Sequence, residues 1–329
     1  MKLRYCSDLH LEFNLPPTRK QLLPKGGDAE NEILLVAGDT IPAFCLEPTN
    51  TDPRARSLRE RFGALLETIS AYKKVYFIGG NHDVYYSDLL TGRDIFNAYL
   101  REVGISPTKM KMYENEAIEL APRVILLAST LWTDMNRNNP LAHAAVGKGM
   151  NDFSMINYGQ RTFTTRDAFN IHKRSLQDLS EHYDYYTSDC DKKKPDEKTR
   201  IIVMTHHQPS IRSVKGSARH GGAIDYGYFS DLTEWILDRP EISHWIAGHT
   251  HHNVSYKIGS CKVLTNCRGY GVPFHKDECF DSFSLKPFVK IKEQAPVKRP
   301  GLVAVSNPMT NASAKKSKRR LPADACERH

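Results

Sequence analysis

Five short blocks carry residues able to bind metal ions. They are Asp8 and His10 in DLH, Asp39 after Gly38, Asn81-His82-Asp83 in GGNHD, His206-His207, and His249 with His251 in GHTHH. Asp8, His10, Asp39, Asn81, His206, His249 and His251 together offer two carboxylates, one amide oxygen and four imidazoles. Mixed oxygen and nitrogen donors favour Mn, Fe, Zn or Co over Ca, and four imidazoles make an all-Mg site less natural. The set is too large for one tetrahedral ion. It suits two divalent ions sharing a bridging carboxylate, with room left for water. Asp8 and His10 stand two residues apart at the exit of an apolar run, and strand alternation predicts both side chains on one side. No G-x-S-x-G occurs, and no cysteine or serine has a recognisable catalytic partner.

The elements that position these residues are short apolar runs. KLRYC leads into Asp8, EILLVA into Asp39, KVYFI into Asn81, RVILLAS into Thr130 and Trp132, RIIVMT into His206, and SHWIA into His249. Each is too short for a helix and fits a buried strand. Between the second and third, Leu58, Phe62, Leu65, Leu66 and Ile69 repeat with a helical period and predict a core-facing helix. A second helix is predicted over TTRDAFNIHKRSLQDLSEHYDYY, with Phe169, Leu176 and Leu179 inward. A third is predicted from Phe229 to Leu237, capped by Ser230 or Asp231. VSYKI and KVLTN read as further strands. Residues 133–165 and 208–228 are long for loops and read as excursions lining a site. Residues 189–200 read as a solvated loop. Strands alternating with helices describe a layered α/β protein whose site lies beyond the carboxyl ends of the strands.

In order, DLH, GD, GNHD, HH and GHTHH resemble the motif set of the calcineurin-like metallophosphoesterases: D-x-H, G-D, G-N-H-D/E, H and G-H-x-H. The resemblance spans residues 8 to 251. MNDFSMI at 150–156 and NCRGY at 266–270 look like features of a bacterial subset, and the layout resembles bacterial single-domain phosphoesterases. The resemblance implies a four-layer α/β/β/α sandwich of two mixed β-sheets. It implies that Asp8, His10, Asp39 and His251 hold one ion, and Asp39, Asn81, His206 and His249 the other, with Asp39 bridging. His206, first after its strand, is the implied ligand, and His207 then stands behind it or contacts phosphate. His82 would act near the leaving group, with Asp83 behind it fixing its tautomer. Two cations about 3.5–4 Å apart acidify a shared water, which attacks phosphorus. A protonated His82 could hydrogen-bond the phosphoryl group or protonate the departing alkoxide.

Composition narrows the alternatives. The chain is 329 residues long, 40% hydrophobic, with formal net charge +8. Residues 287 to 329 hold ten Lys/Arg and three Asp/Glu, a net +7, which leaves +1 for residues 1 to 286. Residues 1–286 therefore read as the metallophosphoesterase domain and 287–329 as a basic, disordered tail containing KKSKRR. That tail is a fair patch for nucleic acid, or an import signal if the host is eukaryotic. No apolar stretch of about 18 residues predicts a membrane span. The N-terminus lacks a secretory pattern, and seven scattered cysteines without a C-x-x-C pair predict free thiols. A cytoplasmic location is expected. Arg268, His207 and Asn157 are candidate substrate contacts, Arg268 because its guanidinium fork matches a phosphate oxygen pair. The expected activity is hydrolysis of a small or cyclic nucleotide-type phosphodiester. Nuclease or nucleic-acid end processing, phosphomonoester hydrolysis, and a non-catalytic scaffold are the competing readings.

Overall fold

The structure, a computed structural model, describes residues 1–23, 25–188, 198–215, 221–271, 277 and 279–291. All six apolar runs are strands. The chain forms β1 (Lys2–Cys6), β2 (Glu32–Ala37), β3 (Lys74–Ile78), β4 (Met110–Tyr113), β5 (Glu116–Ala121) and β6 (Val124–Ser129). It continues with the short pair β7 (Asn157–Tyr158) and β8 (Arg161–Thr162), then β9 (Arg200–Thr205), β10 (Ile242–Ala247), β11 (Ser255–Ile258), β12 (Cys261–Thr265) and β13 (Phe288–Lys290).

Two mixed sheets result, with strand orders β13-β1-β2-β3-β4 and β11-β12-β10-β9-β6-β5. The central strands are parallel, and antiparallel strands close the edges at β13, β5 and β11. Alternation along each buried strand sends side chains to two different cores. In β2, Ile33, Leu35 and Ala37 face the second sheet, where Leu126, Ile202, Met204 and Ile246 meet them. Leu34 and Val36 point the other way, onto helical layers that bury Leu58, Phe62, Leu65 and Phe96. The outer face of the second sheet packs Val203, Trp245 and Val263 against Leu179, Tyr183 and Ile236. The molecule is thus the expected α/β/β/α sandwich. Each fully buried aliphatic or aromatic side chain contributes about 1.5–3 kcal/mol, which is why continuous apolar runs pay no penalty here.

The Pro53–Ile69 helix buries the five predicted positions. The second predicted helix runs Thr165–Thr187, with a capping box between Thr164 and Asp167. The third is shorter than expected, Thr233–Leu237, because Phe229 pairs with Gln208 as an isolated bridge and Asp231 accepts a hydrogen bond from the Thr233 amide (3.2 Å). The 133–165 excursion carries the Pro140–Gly149 helix, and its Val146 and Phe163 form a separate apolar cluster with Val84 and Trp132.

The domain boundary at 286 is corrected. Leu3 pairs with Val289, and the Met1 amino group donates to the Ile291 carbonyl (3.0 Å), so residues through 291 belong to the sandwich. The basic tail beyond 291, with KKSKRR, lies outside the described residues, as does most of the loop expected at 189–200. Among the described residues no helix is long and apolar enough to cross a membrane.

Candidate metal centre

Parallel strands from both sheets end at one rim, and the candidate donors occupy the residues just beyond. β1 stops at Cys6, so strand alternation is not what aligns Asp8 with His10. Both residues instead adopt left-handed backbone, as do Asp39, His249 and His251, with φ values of 55°, 46°, 55°, 72° and 49° respectively. Such conformations cost about 1–3 kcal/mol each and persist only where their surroundings enforce them. Here they turn side chains sharply inward at the ends of β1, β2 and β10.

Three groups of acidic and imidazole donors have ligand atoms within 4.8 Å of one another: Asp8-His10-His251, His10-Asp39-His82 and Asp39-His206-His249. All are buried. Asp39 belongs to two groups and connects them, and Asn81 joins through its Oδ1, 3.0 Å from His206 Nε2. The described residues therefore bring all seven sequence candidates and His82 into one cluster.

The hydrogen-bond polarity shows that this cluster fits cations. His10 Nδ1 donates to Glu12 (2.8 Å) and His251 Nδ1 donates to Asp277 (2.7 Å), so in the neutral imidazoles both Nε2 atoms carry lone pairs. Those lone pairs face each other at 2.9 Å, with Asp8 Oδ1 3.3 Å from His251 Nε2. His206 Nδ1 donates to the Ala37 carbonyl (2.9 Å), and Asn81 Nδ2 donates to Asp152 (2.8 Å). His206 Nε2 and Asn81 Oδ1 are thereby left facing Asp39 Oδ2, which lies 3.3 Å from His206 Nε2 and 3.6 Å from His10 Nε2. Asp39 Oδ2 and His249 Nε2 are buried with no hydrogen-bond partner. Acceptors converging without donors are stabilised by positive ions. Without an ion, burial depresses the His206 pKa but the Asp39 and Asp8 charges push it up to about 9, so a proton on Nε2 supplies part of the positive charge that a cation would bring.

The glycines of the motifs make this convergence sterically feasible. A Cβ on Gly38, at φ +89°, would collide with His206, and one on Gly80 would collide with Asp39.

Several carboxylates and a phenol that the sequence did not single out complete the site. Glu12 Oε1 accepts from both His10 Nδ1 and His82 Nδ1 (3.0 Å for the latter), and Tyr270 Oη meets His82 Nε2 at 2.9 Å. For Glu12, burial works against ionisation, but the His10 and His82 contacts hold the carboxyl down at about 2. For His82 burial also opposes charge, and the Asp39 and Glu12 charges outweigh it, so its pKa is raised.

Two expected roles are corrected. Asp83 does not touch the His82 ring. It accepts from the backbone amides of Asp39, Thr40, Ile41 and Gly80, each at 2.8 Å, and so ties the β2 and β3 exits together. Burial and the Asp39 charge push its carboxyl up to about 7 against those donors. Glu12 holds His82 in its place. Arg268 is likewise not aimed at the cluster. Its guanidinium donates to the Leu15 carbonyl (2.7 Å), lies over the Phe280 ring at 4.8 Å, and burial lowers its pKa to about 10.

The other two candidate contacts fall on opposite sides of the question. His207 is buried behind the donors, its ring 4.4 Å from that of His249 and 5.1 Å from Trp132, and burial lowers its pKa to about 3. Asn157 is exposed on β7, and its backbone pairs with Ser87 and Leu89.

A double-sheet sandwich with buried Asp/His clusters at the strand ends defines a metal-dependent phosphoesterase. The calcineurin-like phosphoesterase profile matches residues 1–253, and the chain belongs to that family. No curated protein sequence matches it. Among solved structures, phosphopantetheinyl hydrolase from Mycobacterium tuberculosis is similar in fold, with 15% identity, TM-score 0.51, and coverage of 82% of this chain and 89% of that one. A dimetal phosphatase from Danio rerio is more distant, with 14% identity, TM-score 0.39, and coverage of 80% and 86%.

Proposed function

We propose that the chain hydrolyses small phosphodiesters of the nucleotide type, using two divalent ions, Mn or an Fe/Zn pair. Asp8, His10, Asp39 and His251 hold one ion; Asp39, Asn81, His206 and His249 hold the other. The observation that carries this reading is the convergence of lone pairs around Asp39 Oδ2, a buried oxygen with no donor of its own. When bound, the ions supply Lewis acidity at the phosphoryl oxygens and lower the pKa of a water there.

The chain's own residues do the rest. Glu12 fixes His82 with Nδ1–H toward the carboxylate, which leaves Nε2 toward Tyr270 and the open cleft. From Nε2 a proton can reach a departing alkoxide. Asp152, held by Tyr85, keeps the Asn81 amide oriented with its oxygen inward. Diesters are favoured over monoesters because a cleft continues past His82, with room for a second ester substituent.

The test is a substrate panel after chelation and reconstitution with Mn, Fe or Zn. Bound metal should approach two ions per chain. Bis(p-nitrophenyl) phosphate and cyclic nucleotides should turn over faster than p-nitrophenyl phosphate and faster than oligonucleotides. Activity in fully metal-stripped protein, or a clear preference for the monoester, defeats the reading.

A further inference from the structure

The cleft beyond His82 has a volume of about 700 Å³, within the range of small-molecule sites. Its walls are mostly aromatic: Phe13, Phe44, Tyr85, Tyr86 and Tyr270 line it, with Pro42 and Met155. Three acidic or basic residues line it among those described: Glu12, His82 and Arg54. Glu12 and His82 engage each other, and His82 also meets Tyr270, so Arg54 is the lining charge left to meet a ligand. Arg54 stands in the first turn of the Pro53–Ile69 helix, where Asp52 caps its amide (2.7 Å).

The rings are arranged edge to face. Phe44 and Tyr86 meet at 5.6 Å and 83°, and Phe13 and Tyr270 at 5.1 Å and 86°. Edge-to-face pairs leave ring faces uncovered. Tyr86 is the most telling member. It is 56% exposed, and its backbone φ is +59°, a conformation unfavourable for a bulky side chain. The Tyr86 amide donates to the Met155 carbonyl (2.8 Å), which holds this backbone turn, and the ring packs edge to face on Phe44. A large aromatic held in an unfavourable conformation and left exposed gains little from packing. It gains from a ligand.

We propose that this cleft binds a flat heteroaromatic ring, the base of a nucleoside that departs as the leaving alcohol, stacked on the open face of Tyr86, with Phe44 bracing that ring edge to face. Arg54 donates to acceptors on the edge of the ring. The inference rests on the phosphodiesterase reading for the word "leaving": His82 Nε2, the proton source in that reading, lies at the mouth of this cleft. An alkyl chain would fill the volume but would offer no acceptor to the Arg54 guanidinium.

The experiment measures binding of adenosine to the metal-loaded full chain by calorimetry, alongside ribose and hexane-1,6-diol. Adenosine has no phosphate to cleave, so the result does not depend on turnover. Adenosine should bind, and ribose and the diol should bind far more weakly. Tyr86→Ala should weaken adenosine by roughly 5- to 150-fold, the range for removing one base–aromatic stack, and Phe44→Ala, which removes only the ring bracing Tyr86, should weaken it less. Tyr86→Phe should retain most of the affinity. Leu90→Ala, equally exposed but outside the cleft, should change nothing. Because Tyr86 lies at the surface, its alanine variant keeps the fold, and an unchanged melting temperature verifies this. Adenosine should also inhibit diester hydrolysis competitively.

Adenosine bound no better than ribose or the diol, or bound equally by Tyr86→Ala, overturns the proposal. So does noncompetitive inhibition. Absence of any diester turnover, with adenosine binding and its Tyr86 dependence intact, removes the phosphodiesterase reading instead and leaves the ring site standing.

Discussion

Gly80 offers a way to perturb Asp39, the proposed bridging carboxylate, without removing any donor. A Cβ at Gly80 would lie 2.1 Å from Asp39 Oδ1, 2.8 Å from its Cγ and 2.7 Å from its backbone nitrogen. Side-chain Cβ atoms essentially never come closer than 3.0 Å to a heavy atom, so Asp39 Oδ1 must retreat by about 0.9 Å. The backbone nitrogen is part of the crowding, so rotation of the side chain alone does not relieve it. Misplacement near 1 Å in a catalytic site costs about 100-fold in rate, and overpacking costs about 1–3 kcal/mol of stability. Gly79 is the internal control. A Cβ there meets Thr130 Oγ1 at 3.5 Å and Met112 Sδ at 3.8 Å, ordinary contact distances. Neither glycine has positive φ, so the two substitutions differ in space and not in backbone strain. Gly80→Ala should therefore lose bound metal and about 100-fold in diester turnover, with a lowered melting temperature. Gly79→Ala should stay near wild type in all three. If Gly80→Ala keeps its metal content and turns over diester like Gly79→Ala, Asp39 is not the bridge.

Three further outcomes follow from the same geometry. His82→Ala should keep its metals and lose about 10²–10⁴-fold with a ribose leaving group, but much less with p-nitrophenolate; equal losses on both substrates would reduce His82 to an electrostatic contact. Glu12→Gln should weaken metal binding or turnover by about 10–100-fold, since one carboxylate oxygen serves both His10 and His82; an equilibrium metal titration and a rate measurement showing no change would refute that link. Arg268→Met should destabilise the fold by about 1–3 kcal/mol through the abandoned Leu9 and Leu15 carbonyls, leaving KM for a diester unchanged. A raised KM with no loss of stability would restore Arg268 as a substrate contact.

The donors were legible in the sequence because each follows an apolar run long enough to be a buried strand. Chain order alone then distinguished Asp39 and Asn81 from ordinary turn residues. What the sequence hid are the partners that come from afar. Asp277 reaches His251 from a segment without periodicity, and Glu12, two residues after His10, looks like any exposed acid until His82 arrives from 70 positions along the chain. In NCRGY the Arg268 guanidinium carries a recognisable phosphate-binding pattern and Tyr270 carries none, and in MNDFSMI the Asp152 carboxylate has no partner near it in sequence. Asp83 was misread for the opposite reason: adjacency to His82 suggested a side-chain contact, whereas the tight turn His82–Val84 points the carboxyl back to the backbone of β2. Alternation failed for Asp8 and His10 because it describes strands, and these residues lie past the end of one. The strand β13 was missed because three residues in a basic stretch carry almost no pattern.

The pairing of β1 between β2 and β13 also sets an order of events during synthesis. His10 and His251, whose Nε2 atoms meet, are separated by 241 positions, which is about 12–48 s of translation at roughly 5–20 residues per second. Through that interval Asp8 and His10 make only part of a cluster, and the outer edge of β1 has no strand to cover it until residues 288–290 emerge. An ion meeting the nascent chain encounters fewer donors than the folded protein presents. The full donor set therefore exists only after the segment carrying His249 and His251 has joined the sandwich.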